Sequence, residues 1–253
     1  MRAQWLRWET VYQPRYVCVG SELAAQTIVV RAHGQAPSPF YGKVPPPAKE
    51  RMGISILKLE EDGTLALLGH HDLDTHVGWM AWHPANGHLY AAGGNQIYSF
   101  RVSAADGDTP TLLGTSSAGT VGDTAHVELS NCGAWALVAN YPDATLAVLP
   151  IHADGAIGAA TDSKTCGGVP RDPKLADRQE ATHPHQIRLG PRGGRWAHAC
   201  DLGADRVWVF GFDATRGALV GSNDSERHVA FPAGSGCCSE NSATRPAAIA
   251  VKM

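Results

Sequence analysis

Two histidines separated by one proline, His183 and His185 in the run THPHQ, are the side chains of this sequence best suited to chemistry. An imidazole with its ordinary pKa of about 6.5 takes and returns protons near neutrality, so either histidine suits a general base or a substrate contact. If the run enters a strand, alternation at period two turns both to the same side. Arg178 and Glu180 precede them in a polar loop, read as a solvated charge pair or as a rim that orients a histidine. Asp201, Asp205 and Arg206 bracket a glycine-containing turn, with Asp201 closing a strand and Asp205 shaping the turn. Upstream, His126 opens AHVELS as His185 opens HQIRLG, which predicts equivalent positions for the two. Asn140 and Tyr141 fall at the turn matching Asp201 and Leu202, as turn structure and a packed aromatic.

Other patterns narrow the chemistry. His70, His71 and His76 lie in HHDLDTH, but no further ligand converges on them, so no metal site is expected. There is no G-x-S-x-G elbow and no glycine-rich phosphate loop, which weighs against serine-hydrolase and nucleotide-binding readings. The cysteines at 18, 132, 166, 200, 237 and 238 form no C-x-x-C pair and read as separate thiols in a reducing compartment. A net charge of −3 without a basic cluster argues against nucleic acid as a partner. No apolar run nears the roughly 20 residues that span a bilayer, so no membrane partner is expected. The opening MRAQWLRWETVYQP lacks the apolar core of a secretory signal, which predicts a cytoplasmic protein.

The elements that must position these residues repeat. HLYAAGGNQIYSFRV (88–102), WALVANYPDATLAVLPI (135–151) and WAHACDLGADRVWVFGF (196–212) each pair two β-rich runs across a polar turn. A further strand-like run precedes each, and a turn such as Asp154-Gly155 or Arg216-Gly217 leads to a fourth. Four short antiparallel strands in units of about 45 residues predict an all-β fold, a β-propeller with about four blades. Residues 1–236 form this domain, interrupted by a proline-rich surface loop at 33–51. Residues 237–253, CCSENSATRPAAIAVKM, show no period-two alternation and are expected to be a disordered tail without a closing strand.

The runs HVELSNCGAWALVANYPDATLAVLPIHADGAIG (126–158) and HPHQIRLGPRGGRWAHACDLGADRVWVFGFDATRGAL (183–219), with Arg178-Gln179-Glu180 ahead of the second, resemble the seven-bladed β-propeller lactonases. That family includes the cycloisomerase-like 6-phosphogluconolactonases and the related carboxy-muconate cyclases. The resemblance covers about residues 15–236 and implies hydrolysis of 6-phosphogluconolactone in the pentose phosphate pathway, with no cofactor. For that reaction the candidate catalytic residues are His185, His183 and Glu180, with His126, Arg178, Asp201 and Arg206 as candidate contacts to the sugar-phosphate lactone, while analogy with the muconate cyclases puts a catalytic Arg and Glu in the blades expected after residue 236. Arginine suits a phosphate or an oxyanion through its fixed fork of donors. The chain departs from the family after Gly234-Ser235-Gly236, where members continue into further blades, so about four of seven blades are expected. Two other readings stay open: a binding or scaffold propeller, and an inactive fragment whose open edge strands associate with another chain.

Overall fold

The computed structural model describes residues 17–19, 27–32, 52–59, 65–75, 77–83, 85–102, 109–119, 122–167, 179–190, 194–221, 228–241 and 248–251. No helix occurs among them. The first sheet holds β1 (Val17–Val19), β2 (Thr27–Ala32), β3 (Gly53–Leu59) and β4 (Leu65–Asp72). The second holds β5 (Val77–Trp82), β6 (His88–Gly93), β7 (Gln96–Arg101) and β8 (Thr111–Ser117). The third holds β9 (Thr124–Leu129), β10 (Trp135–Asn140), β11 (Thr145–Pro150) and β12 (Asp162–Thr165). The fourth holds β13 (Pro184–Leu189), β14 (Trp196–Asp201), β15 (Arg206–Asp213), β16 (Ala218–Val220) and β17 (His228–Ala230). Each of the four is an antiparallel meander in chain order, the expected blade. In the fourth, β16 and β17 share the outer place, pairing with opposite ends of β15.

Alternation along the middle strands builds the cores between blades. In β10, Ala136 and Val138 pack toward the second sheet with Tyr90 and Ile97, while Leu137 and Ala139 pack toward the fourth with Ile187 and Phe210. A strand buried on both faces has no polar side, so WALVAN reads as a continuous apolar run. Ile54, Ile56, Leu89 and Phe100 fill the same kind of core between the first and second sheets. β5 lies beside β9, and β9 beside β13, so the first strands of successive blades line one axis.

The turn signals act as expected where they are described. Gly155 takes φ 86° and Gly217 takes φ 63°. Gly217 also sits under the indole of Trp135, where a Cβ would lie 2.1 Å from the ring. The 33–51 loop and the segment before Val17 fall outside the described residues. The tail differs from expectation: β18 (Cys237–Asn241) pairs with β19 (Ala248–Val251), and β18 lies against β13 and β14. A ladder is made by backbone groups, so a run with weak side-chain alternation can still pair.

Candidate active site

The register gathers the candidate residues at one end of the axis. Thr124 pairs with Asn140, and Pro184 with Asp201, so each inner strand starts beside the turn that leaves its neighbour. The loop 179–183 and the turns 141–144 and 202–205 therefore share a rim. Three inner strands carry a bulge at the same place, leaving Gly78, Ala125 and His185 outside the ladder. A bulge re-aims the residue it frees. In the second and third blades that residue has no side chain beyond a methyl, and in the fourth it is an imidazole. His185 is partly exposed and meets the edge of Tyr141 at 5.7 Å between ring centroids.

His183 is placed differently from His185. It precedes β13, is 4% exposed, and stacks on Tyr141 with ring centroids 4.2 Å apart and planes 4° from parallel. Its Nδ1 faces the Tyr141 carbonyl oxygen at 3.0 Å, and its Nε2 faces Glu180 Oε1 at 2.8 Å. Both ring nitrogens thus meet oxygen acceptors, which suits a clamp on Glu180 better than a base that must receive a proton. The side chain of Glu180 remains 54% exposed, with one oxygen pinned. His183 precedes β13 and His185 sits at its bulge, so strand alternation does not govern the pair, and both rings meet Tyr141.

Two buried aspartates hold this loop. Asp201 Oδ1 accepts the backbone N–H groups of His183 and Ala204, each at 2.9 Å, and Oδ2 accepts the indole N–H of Trp208 at 2.9 Å. Burial pushes the Asp201 carboxyl above its usual range, against the pull of these donors. With no exposed surface, Asp201 organises the loop rather than touching substrate as the sequence suggested. Asp205, at φ 51°, accepts the Gln179 side-chain amide at 2.8 Å and the N–H groups of Gly234 and Gly236 at 2.8 and 2.7 Å. Gln179 also donates to the Leu202 carbonyl at 2.8 Å. Gly203 lets the loop close down, since a Cβ there would meet the Ala181 carbonyl oxygen at 1.7 Å.

His126 corrects the sequence alignment. Leu129 faces Ala136 as Leu189 faces Ala197, so His126 is equivalent to Gln186, and Ala125 to His185. His126 is 1% exposed, packs on Trp79 at 4.4 Å between ring centroids, and approaches the Gln186 amide at 3.5 Å. Burial, then the positive fields of Arg188 and His185, pushes its imidazole well below the ordinary value. One step along the same strands, Arg188 bonds Glu128 at 2.8 Å. Arg206 lies farther out on the fourth blade, with its guanidinium 5.5 Å from the centroid of the Trp208 ring and Nη1 3.5 Å from the Gly167 carbonyl. Arg178 falls outside the described residues. Among the described residues, no group of three or more His, Cys, Asp and Glu side chains could hold a metal ion.

An antiparallel propeller with a histidine and a glutamate at one axial rim, and an arginine farther out on the same blade, is a scaffold for acid–base chemistry on a polar ligand. The chain belongs to the lactonase family of seven-bladed β-propellers, which matches residues 42–237. None of the curated proteins compared matches it. Among solved structures, a 6-phosphogluconolactonase candidate from Bacteroides fragilis is similar at 21% identity and a TM-score of 0.69, over 85% of this chain and 57% of that one. The periplasmic gluconolactonase of Pseudomonas aeruginosa gives 20% identity and a TM-score of 0.69, over 85% and 58%. A 6-phosphogluconolactonase candidate from Bacteroides uniformis gives 22% and 0.66, over 83% and 56%. The likeness to these structures is one of fold, and the chain spans somewhat over half their length.

Proposed function

We propose that this chain hydrolyses a sugar lactone, and that the lactone is 6-phosphogluconolactone, opened to 6-phosphogluconate in the pentose phosphate pathway. Family membership supports the reaction class, and the descriptions of the Bacteroides and Pseudomonas structures support a gluconolactone. The observation that carries the reading is the bulge at His185, which brings an imidazole to the rim where the neighbouring blades carry only glycine and alanine.

His185 acts as general base. It takes a proton from water as the water oxygen bonds to the lactone carbonyl carbon. The tetrahedral intermediate then collapses, the ring C–O bond breaks, and the departing oxygen receives the proton from His185 to become a hydroxyl. Glu180, held by His183, orients the sugar hydroxyls, while Arg178 and Arg206 grip the phosphate. Hydrolysis of phosphorylated and unphosphorylated gluconolactone by the purified chain tests the substrate. A preference for the phosphorylated lactone, with Arg206→Ala raising KM for that lactone alone, is the expected result. Equal rates for both would remove the phosphate from the account.

A further inference from the structure

The two described histidines of HHDLDTH turn to opposite faces of β4. His71 faces the second blade, with its Nδ1 3.0 Å from the Pro110 carbonyl and its ring edge-on to Phe100 at 5.1 Å. His70 turns the other way. Its Nδ1 lies 2.7 Å from Ser55 Oγ, and its Nε2 lies 3.1 Å from Asp72 Oδ1. Ser55 and His70 are direct cross-strand partners in the β3–β4 ladder, and Gly53 pairs with Asp72, so the three side chains share one face. The flanking Ile54 and Ile56 fill the core on the opposite face, which fixes the side that Ser55 presents.

This is the arrangement that activates a nucleophile: a hydroxyl on one imidazole nitrogen and a carboxylate on the other. The carboxylate only accepts, so it selects the tautomer with hydrogen on Nε2 and leaves the Nδ1 lone pair on the Ser55 hydroxyl. The His70 side chain is 6% exposed and that of Asp72 is 63% exposed, so the base is sheltered while its orienting group reaches water. The cluster lies on the third and fourth strands of its blade, apart from the axial rim.

We propose that Ser55, His70 and Asp72 form a second hydrolytic site, at which Ser55 accepts acyl groups from small activated esters. Ser55 Oγ bonds to the acyl carbon as His70 Nδ1 takes its proton. The ester C–O bond breaks, and the leaving oxygen departs with that proton or as a stable phenolate, in which case His70 releases the proton to solvent. Water then adds to the acyl-serine, giving its proton to His70, and the carboxylic acid leaves as Ser55 recovers a proton. β3 is paired on both sides, so its amides are committed to ladders and offer no ready oxyanion hole. The site therefore favours substrates with good leaving groups and accumulates the acyl-serine.

The purified chain is treated with p-nitrophenyl acetate and digested for mass spectrometry, with unfolding midpoints recorded for every variant. The expected result is a burst of p-nitrophenolate and an acetyl group on Ser55. His70→Gln should slow acylation by about 100-fold, the usual worth of a positioned base. Asp72→Asn, at an exposed carboxylate, serves as a second variant and should also slow it. Ser55→Ala should remove the burst while leaving lactone hydrolysis unchanged. Acetylation confined to lysines, or labelling of Ser55 at an equal rate in folded His70→Gln and Asp72→Asn proteins, would overturn the proposal.

Discussion

At the scale of residues, a single extra position separates His183 from His185. One is locked between a carbonyl and a carboxylate, and the other stands at a bulge beside Tyr141. THPHQ was legible as chemistry in the sequence, but this division of labour was not, because a bulge leaves no mark in residue types. The strand register matches His126 with Gln186 rather than His185, and burial there lowers its proton affinity. Unfolded His126 titrates near 6.5, whereas the folded group resists protonation, so the unfolded chain binds more protons just below that pH. The stability contributed by His126 is thus complete above about pH 6.5 and is lost as the pH falls below it. Urea midpoints measured from pH 7.5 down to 5 should fall less steeply in His126→Gln than in wild type. For Asp201, whose oxygens accept two backbone N–H groups and an indole N–H, Asp201→Ala should lower stability by about 3 kcal/mol in the same assay, by orphaning buried donors.

Strands and turns follow the repeated phrases closely, since two-sided burial and tight turns both leave strong compositional signals. What the phrases did not show is how one blade latches to the next. The residue opening the second strand of a blade covers a glycine in the following blade. His88 sits where a Cβ on Gly155 would go, and Trp135 where one on Gly217 would go. Trp135 also donates its indole N–H to the Ala214 carbonyl at 2.7 Å. The Trp135–Ala214 bond joins residues 79 positions apart, beyond the reach of local pattern. Gly217→Ala combines a left-handed φ with a clash against that ring, and should cost about 2 kcal/mol in chemical denaturation. Relief of that cost by a second change, Trp135→Leu, would show that the clash is its source.

At the scale of the molecule, the all-β class and the four blades were legible, while the pairing of β18 with β19 was hidden in a segment of weak alternation. The fourth blade repeats the latch residue as Trp196, which is 45% exposed. Trp196 and Val220 flank Gly211 in one cross-strand row, on the face opposite Ala197 and Phe210. Apolar side chains gathered on a sheet face favour association. Replacing Trp196 with Glu and Val220 with Lys should therefore shift the chain toward smaller species in size-exclusion chromatography. The lactonase account stands or falls on the rim around His185. Its most direct test is the rate at which the purified chain opens 6-phosphogluconolactone, measured against the spontaneous reaction and against His185→Ala. The account predicts a rate clearly above spontaneous hydrolysis that His185→Ala returns to that baseline. A folded wild-type chain no faster than buffer, or a His185→Ala variant as fast as wild type, would contradict it.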